Sequence, residues 1–424
     1  MKKQTKILFL FLLIPIFFGS LYSVAIEYPM ILQIRNDTTA LINKSAENNY
    51  LLWNKTWGGA STDYSQGVAL DTAGNIYCTG YTNSFGVGAY DLALVKFYPN
   101  GTRVWNTTWG GASDDQGYGV VLDTAGNIYC AGYTTSFGAG GWDFALVKFY
   151  PNGTRAWNTT WGGASTDYDQ GVALDTAGNI YCTGYTNSFG AGAWDLALVK
   201  FYPNGTRAWN TTWGGASTDF GQGVALDTAG NIYCTGYTTS FGAGGSVFAL
   251  VKFYPNGYIA WNKTWGGSSN DVSWGVALDT AGNIYCTGYT NSFGAGNGDF
   301  ALVKFYTNGN IAWNKTWGGA SSDQSFGVAL DTAGNIYYTG HTTSFGAGGS
   351  DFALVKFGIN PTTTGTTPVI PGFELTPIIV LISILIVFIL NKNLKTTKKL
   401  EFANKKNCTS GCILPHQLIT SSAN

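Results

Sequence analysis

The chain has 424 residues, 11% of them charged and 15% aromatic, with 58 glycines and a formal net charge of −1. That balance leaves no basic surface of the size a nucleic acid needs, and it suits short strands and tight turns better than helices. The chain has 2 His, and no Glu lies between residues 48 and 373, so few groups are available for acid–base chemistry.

In chain order, Met1–Lys6 carries three lysines, and an apolar run follows to the small-residue site Ser23-Val24-Ala25. This is the layout of a secretory signal over residues 1–25, expected to be cut after Ala25. Residues 26–50 are a lead-in without repeat character.

From residue 51 to 357 three markers recur every 52 residues, six times each. "WN(K/T)TWGG" starts at Trp53, "GVALDTAGNIY" at Gly67 and "ALVKF" at Ala93. Periodicity within one unit predicts four strands: A "GVALD", B "IYCTGYT", C "DLALVKF" and D "TRVWNTTW". Asp-Thr-Ala-Gly-Asn turns A into B and "YPNG" turns C into D, while the B to C and D to A loops are longer and Gly-rich. Four antiparallel strands per repeat predict an all-β, six-bladed β-propeller over residues 51–357. The array begins on a D strand and ends on a C strand, so the ring is expected to be closed by the N-terminal strand. An open solenoid, which should carry distinct polar caps, is the runner-up architecture.

Beyond the repeats, "GINPTTTGTTPVIPG" at residues 358–372 reads as an extended Thr/Pro-rich stalk. Residues 373–390 contain the apolar run Leu375–Leu390 and are expected to form a transmembrane helix, although about 16 residues is short of the roughly 20 that span a bilayer comfortably. Six lysines against Glu401 in residues 391–406 place the tail 391–424 in the cytoplasm and the repeats outside. Sequons agree with export: beyond Asn36 and Asn43 they fall at Asn54, Asn100, Asn106, Asn152, Asn158, Asn204, Asn210, Asn262 and Asn314.

The unit "GVALDTAGNIYCTGYT…DFALVKFYPNGTRAWNTTWGG" resembles the SBBP repeat of bacterial and archaeal β-propellers across residues 51–357. The resemblance implies a propeller on an exported or surface protein and no defined reaction. Pro371-Gly372-Phe373 resembles the start of archaeal surface-protein anchor tails, although 34 residues follow Leu390, which favours a retained membrane span.

Chemistry-bearing residues are few in the repeats. His341 stands where other blades have Tyr81, Tyr133, Tyr185, Tyr237 and Tyr289, and reads as a structural imidazole. Cys78, Cys130, Cys182, Cys234 and Cys286 share one strand position and read as packing between blades, with Tyr338 in the sixth. Asp63, Asp115, Asp167, Asp219, Asp271 and Asp323 form a complete set in the D to A loops. A second set, Asp91, Asp143, Asp195, Asp299 and Asp351, is interrupted by Val247. Residues 53–357 hold 12 Lys and Arg against 19 Asp, so these carboxylates read either as loop caps or as ligands for Ca²⁺, the one cofactor considered. The six "ALVKF" lysines, Lys96 to Lys356, are expected to pair with a blade Asp.

Variation among the copies falls on the B to C and D to A loops, which share one face of the disc. One B to C position is Tyr90, Trp142 and Trp194 in the first three blades; neighbouring D to A positions hold Tyr64, Tyr118, Tyr168, Phe220, Trp274 and Phe326. Aromatics beside Asp and Asn suit sugar rings or a peptide, and packing into gaps between blades is the alternative. The expected function is therefore a non-enzymatic binding or adhesion module, held at the cell membrane, for an extracellular glycan or another surface polymer or protein. A self-associating structural envelope protein is the alternative, and an Asp-based hydrolase ranks last.

Overall fold

A computed structural model describes residues 53–358 apart from 333 and 347. The expected signal, lead-in, transmembrane helix and tail, and all of the stalk beyond residue 358, lie outside the described residues. Among the described residues no helix is long and apolar enough to cross a membrane.

Each repeat folds as one blade. β1 (Asp63–Leu70), β2 (Ile76–Thr82), β3 (Asp91–Phe97) and β4 (Arg103–Trp109) form an antiparallel sheet in sequence order. The second blade opens with β5 (Asp115–Leu122), and the fifth ends with β20 (Ile311–Trp317). The sixth holds β21 (Asp323–Leu330), β22 (Ile336–Thr342) and β23 (Asp351–Phe357).

The invariant octapeptide builds its turn through one carboxylate. Asp71 Oδ1 accepts the N–H groups of Ala73 (3.0 Å) and Asn75 (2.9 Å), and Oδ2 accepts Asn75 Nδ2 (2.8 Å) and the Tyr77 hydroxyl (3.2 Å). Gly74 makes the reversal at φ 78°, a conformation that an L side chain resists. Burial opposes ionisation of Asp71, but the bonds from Asn75, Tyr77 and Ala73 outweigh it and hold the carboxyl below its usual range. The "ALVKF" lysines meet the expected Asp, the charges of Lys148, Lys200 and Lys304 helping to hold the Asp123, Asp175 and Asp279 carboxyls low, and they take a ring partner as well. All six ammonium groups lie over a β2-type tyrosine ring at 4.8–5.0 Å, and Lys304 also reaches Asp279 at 3.7 Å.

Strand β1 slips register against β2 between Ser65 and Gly67, which makes Gln66 the extra residue of a β-bulge. The slip brings the two backbones close: a Cβ at Gly80 would sit 1.9 Å from the Tyr64 carbonyl oxygen, and one at Gly184 1.8 Å from that of Tyr168. Glycine at this point of every "IYCTGYT" is thus a steric requirement.

Between blades the sheets meet in apolar seams. Leu92 and Leu94 of β3 pack with Trp109 against Cys130, Ala145, Val147 and Phe149 of the second blade. Four further clusters repeat this arrangement through to the fifth and sixth blades. At the loop end of each seam a tryptophan meets the next blade's phenylalanine, with ring centroids 5.2–5.3 Å apart from Trp109–Phe137 to Trp317–Phe345. Cys130, Cys182, Cys234 and Cys286 are free and buried in these seams, and burial pushes the Cys130 thiol up to about 12, so packing is their role. Tyr338, in the cysteine position of the sixth blade, fills its seam between Phe300 and Phe357, each 5.6 Å away.

The expected closure of the ring is not made among the described residues. Among the described residues β23 has no fourth strand beside it. Residues 53–57 lie against the first blade instead: Trp53 Nε1 donates to the Pro99 carbonyl at 3.2 Å, and the Trp57 ring meets Phe85 at 5.1 Å. The Trp57–Phe85 contact is the one that each outer strand makes with the blade following it, as Trp109 does with Phe137.

Gly184→Ala should destabilise the array by about 1–3 kcal/mol, because the backbone must move to admit the methyl group. Denaturant unfolding of variant and parent measures this; an unchanged midpoint would show that the bulge relaxes freely.

Candidate ligand-binding face

The B to C and D to A loops lie at one end of every blade and are tied together by the complete Asp set. In the second blade, Asp115 Oδ1 accepts the Thr134 hydroxyl, while Oδ2 accepts the Ser136 hydroxyl (2.7 Å) and the Gly111 N–H (2.7 Å). Ser136 Oγ in turn accepts the Ser113 N–H at 3.0 Å. Asp63, Asp167, Asp219, Asp271 and Asp323 accept the equivalent three donors. The oxygens that a Ca²⁺ ion would need are therefore engaged by loop donors, and among the described residues no three His, Cys, Asp or Glu side chains gather as a metal-holding group. The second set caps its own loop: Asp91 Oδ2 accepts the N–H groups of Val87 (2.9 Å) and Gly88 (3.0 Å). Burial, together with the charge of Asp115 across the seam, raises the Asp91 carboxyl above its usual range.

On this stapled frame the aromatic candidates form a belt. Trp142 stacks on Tyr133 (4.8 Å, 15°) and touches Tyr168 (5.3 Å); Tyr168 stacks on Tyr185 (5.1 Å, 4°). Tyr185 contacts Trp194 (5.3 Å) and Phe220 (4.1 Å), and Phe220 contacts Tyr237 (4.9 Å). Toward the first blade, Tyr118 links Tyr168 to Tyr81, which carries Tyr64 (4.9 Å) and Tyr90 (5.3 Å). A second group joins Trp274 to Tyr289 and Phe326, and Phe326 to His341. Tyr118, Trp274 and Phe326 occupy the extra position of the bulge in their blades.

The rings are not equally open. Tyr64 (52%), Phe326 (47%) and Trp142 (40%) are exposed, Tyr168 is buried, and Tyr90, Tyr118, Trp194, Phe220 and Trp274 are half-buried. Packing and exposure thus coexist, Trp142 resting on buried Tyr133 and Tyr64 on half-buried Tyr81. Sequence reading passed over the β2-type tyrosines Tyr81, Tyr133, Tyr185, Tyr237 and Tyr289 as members of this face. Their signal was their place at the loop end of strand B. Burial pushes their hydroxyls up, that of Tyr237 to about 12, so they stay neutral at physiological pH. The belt offers flat apolar surface and uncharged hydroxyls, among them Tyr118, which donates to Gln116 Oε1 at 3.0 Å. The candidate glycosylation residues from Asn54 to Asn314 are all exposed.

One buried group differs from its counterparts. Asp169 is fully covered, and neither of its carboxylate oxygens has a partner at hydrogen-bonding geometry. Other blades have Gly or Ser here, facing a threonine of the preceding blade, as Ser273 faces Thr235 at 2.7 Å. In the preceding blade that threonine is replaced by Ala131, which makes room for the larger acid. Burial outweighs the nearby Cys182 thiol and the N–H groups of Gly171 and Gln170, and drives the Asp169 carboxyl well above 3.8.

Two outcomes follow from these carboxylates. Asp167→Asn keeps one acceptor where two are used and should lower stability by about 1–3 kcal/mol in thermal unfolding; unchanged stability would show that the loops hold without the staple. For Asp169, a raised folded pKa means that its contribution is fully present below the unfolded value of 3.8 and is lost as pH rises through the folded pKa. Asp169→Ser should therefore gain on the parent as pH is raised from acid to neutral, and unfolding midpoints that keep a constant difference across pH would contradict this.

Comparison with known protein families agrees with the repeat architecture. A β-propeller repeat family, SBBP, matches residues 57–86, 108–138, 160–190, 212–242, 264–294 and 317–346. The chain is similar to an uncharacterized WD repeat-containing protein of Acanthamoeba polyphaga mimivirus, at 24% identity over 68% of this chain and 30% of that protein. The chain thus spans about a third of the length of that relative. Among solved structures it is similar to a gluconolactonase from Xanthomonas campestris (TM-score 0.40, 11% identity, covering 65% of this chain and 83% of that one). It is also similar to a Hadza microbial sialidase (TM-score 0.42, 10% identity, covering 64% and 62%). Neither structural likeness bears on activity. Six SBBP β-propeller repeats are thus found between residues 57 and 346.

Proposed function

We propose that the array is a non-catalytic binding module of the cell surface, which holds a glycan or another hydroxyl-rich surface polymer on its loop face. The observation that carries this reading is Trp142, exposed at 40% and stacked on Tyr133 within a belt of neutral tyrosines. A sugar ring presents an apolar face to such a platform and hydroxyls to the tyrosines around it. Because the loops are fixed by buried Asp staples, the platform is preorganised and binding costs little ordering. A hydrolase would need a carboxylate free to reach the substrate, whereas the six staple carboxylates accept loop donors. Surface display is supported by the secretory layout of residues 1–25, the exposed sequons and the apolar run Leu375–Leu390 followed by lysines.

The purified chain, applied to a glycan array and then titrated with the glycans it retains, tests the proposal. Trp142→Ala should weaken binding about tenfold, and adding Tyr90→Ala and Trp194→Ala should abolish it. Absence of binding to any glycan, or binding indifferent to the triple change, would overturn the reading.

A further inference from the structure

The two ends of each blade differ in charge. Of the 12 Lys and Arg in residues 53–357, six are the "ALVKF" lysines, each one residue from the end of its strand and opposite a Tyr77-type ring beside the A to B turn. Arg103, Arg155 and Arg207 open the outer strands of the first three blades, directly after the C to D turns. Lys55 and Lys263 reach the C to D turn of the following blade: a Cβ at Gly101 would sit 3.1 Å from Lys55 Cγ, and one at Gly309 3.0 Å from Lys263 Cε. Lys315 takes the same place in β20. Every cation of residues 53–357 thus belongs to the turn end, together with the Asp71-type carboxylates, and the other Asp residues stand at the loop end.

The C to D turns themselves are not alike. Thr-Arg follows "YPNG" in the first three blades, but Tyr258-Ile259 follows it in the fourth, and Asn310-Ile311 follows Tyr306-Thr307-Asn308-Gly309 in the fifth. Tyr258 stands 73% exposed, Ile311 44% and Ile259 42%, and Tyr254 and Tyr306 are exposed across the same two turns. The exchange also removes the sequons of these turns. Asn100, Asn152 and Asn204 precede Gly-Thr, whereas Asn256 precedes Gly-Tyr and Asn308 precedes Gly-Asn. The sequons that these two blades keep, Asn262 and Asn314, lie mid-strand, opposite Val251 and Val303. One sector of the turn end therefore gains apolar surface where it loses the means to carry a glycan.

We propose that this sector, at residues 254–259 and 306–311, docks on an anionic lipid bilayer and leaves the loop face turned away from it. The tyrosine rings and the two isoleucines enter the headgroup layer, and Lys263, which already reaches over the fifth blade's turn, meets lipid phosphates with Lys315. The separation of charge orients the approach, because the loop end carries carboxylates and no cation. A bilayer is favoured over a soluble polyanion because the sector is apolar as well as basic, and because the chain leaves the array at this end. β23 runs from Asp351, opposite Thr342 at the loops, to Phe357, opposite Ile336 beside the A to B turn. Residues 358–374 then lead to the apolar run that starts at Leu375, a tether of at most about 60 Å. A tether of that length raises the local concentration, so that a patch of few side chains suffices. The proposal concerns a second face and a second partner, and it does not need the loop face to hold a glycan.

The purified full chain, incorporated into vesicles of phosphatidylcholine alone or of phosphatidylcholine with phosphatidylglycerol, tests this by flotation and amide hydrogen exchange. Flotation with the zwitterionic vesicles reads the apolar tail, so a failure of the tail and a failure of the face are separate results. In the anionic vesicles exchange at residues 254–259 and 306–311 should slow severalfold relative to the zwitterionic ones, while loops 240–246 and 292–298 of the same blades keep their rates. Tyr258→Ser with Ile259→Ser and Ile311→Ser changes only exposed side chains and should restore the zwitterionic rates with an unchanged circular dichroism spectrum. Equal rates in the two kinds of vesicle, protection at the loops instead, or protection that survives the triple change would each overturn the proposal. So would the same protection from dextran sulfate in solution, which would assign the face to a soluble polyanion.

Discussion

The structure depends on the burial of both faces of each small sheet. A four-stranded sheet with Leu92 and Leu94 on one side and Cys130-type and Phe149-type residues on the other cannot stand alone in water. Each blade therefore takes its stability from its neighbours, and the seam is the energetic unit, as in other stacked repeats. Small residues at the cysteine position and in the alanine of "ALVKF" let the sheets approach, and the Trp–Phe contact fixes the loop end of every seam.

This division of labour explains where change is tolerated. The turn held by Asp71 and the close approach at Gly80 leave no freedom on the scaffold side. At the other end the Asp115-type staple fixes the two loops with its own bonds, so ring side chains beside it can vary without loosening the frame. The bulge adds a residue to the first strand of each blade, and three blades use that place for an aromatic ring, Tyr118, Trp274 or Phe326. Ala131 opposite Asp169 shows the same logic within a seam, a lost methyl and hydroxyl on one strand accommodating an acid on the other.

Much of this was legible in the sequence because the signals are local. The 52-residue period, the "DTAGNIY" turn, alternation along the strands and the packing role of the cysteines all depend on residues near one another in the chain. The loop-capping reading of the Asp set was likewise open, since Asp, Thr and Ser recur together. What depends on distant pairing was not legible. That the array begins and ends on complementary strands suggested self-closure, a pairing between distant segments that is not made among the described residues. The lysines were expected near carboxylates, as Lys304 is to Asp279; that they also lie over tyrosine rings was not foreseen, and it follows from Lys96 and Tyr77 being directly opposed across two strands. Tyr133 and Tyr185 looked like scaffold because they hardly vary, yet Tyr133 underlies exposed Trp142 and Tyr185 underlies Tyr168 beside it.

If seams rather than blades hold the fold, stability must grow with the number of seams. The direct measurement is the unfolding of one repeat, residues 167–218, against three consecutive repeats, residues 115–270, followed by circular dichroism. The account predicts an unfolded single repeat and a cooperative transition for the three. A single repeat as stable as the longer piece would contradict it.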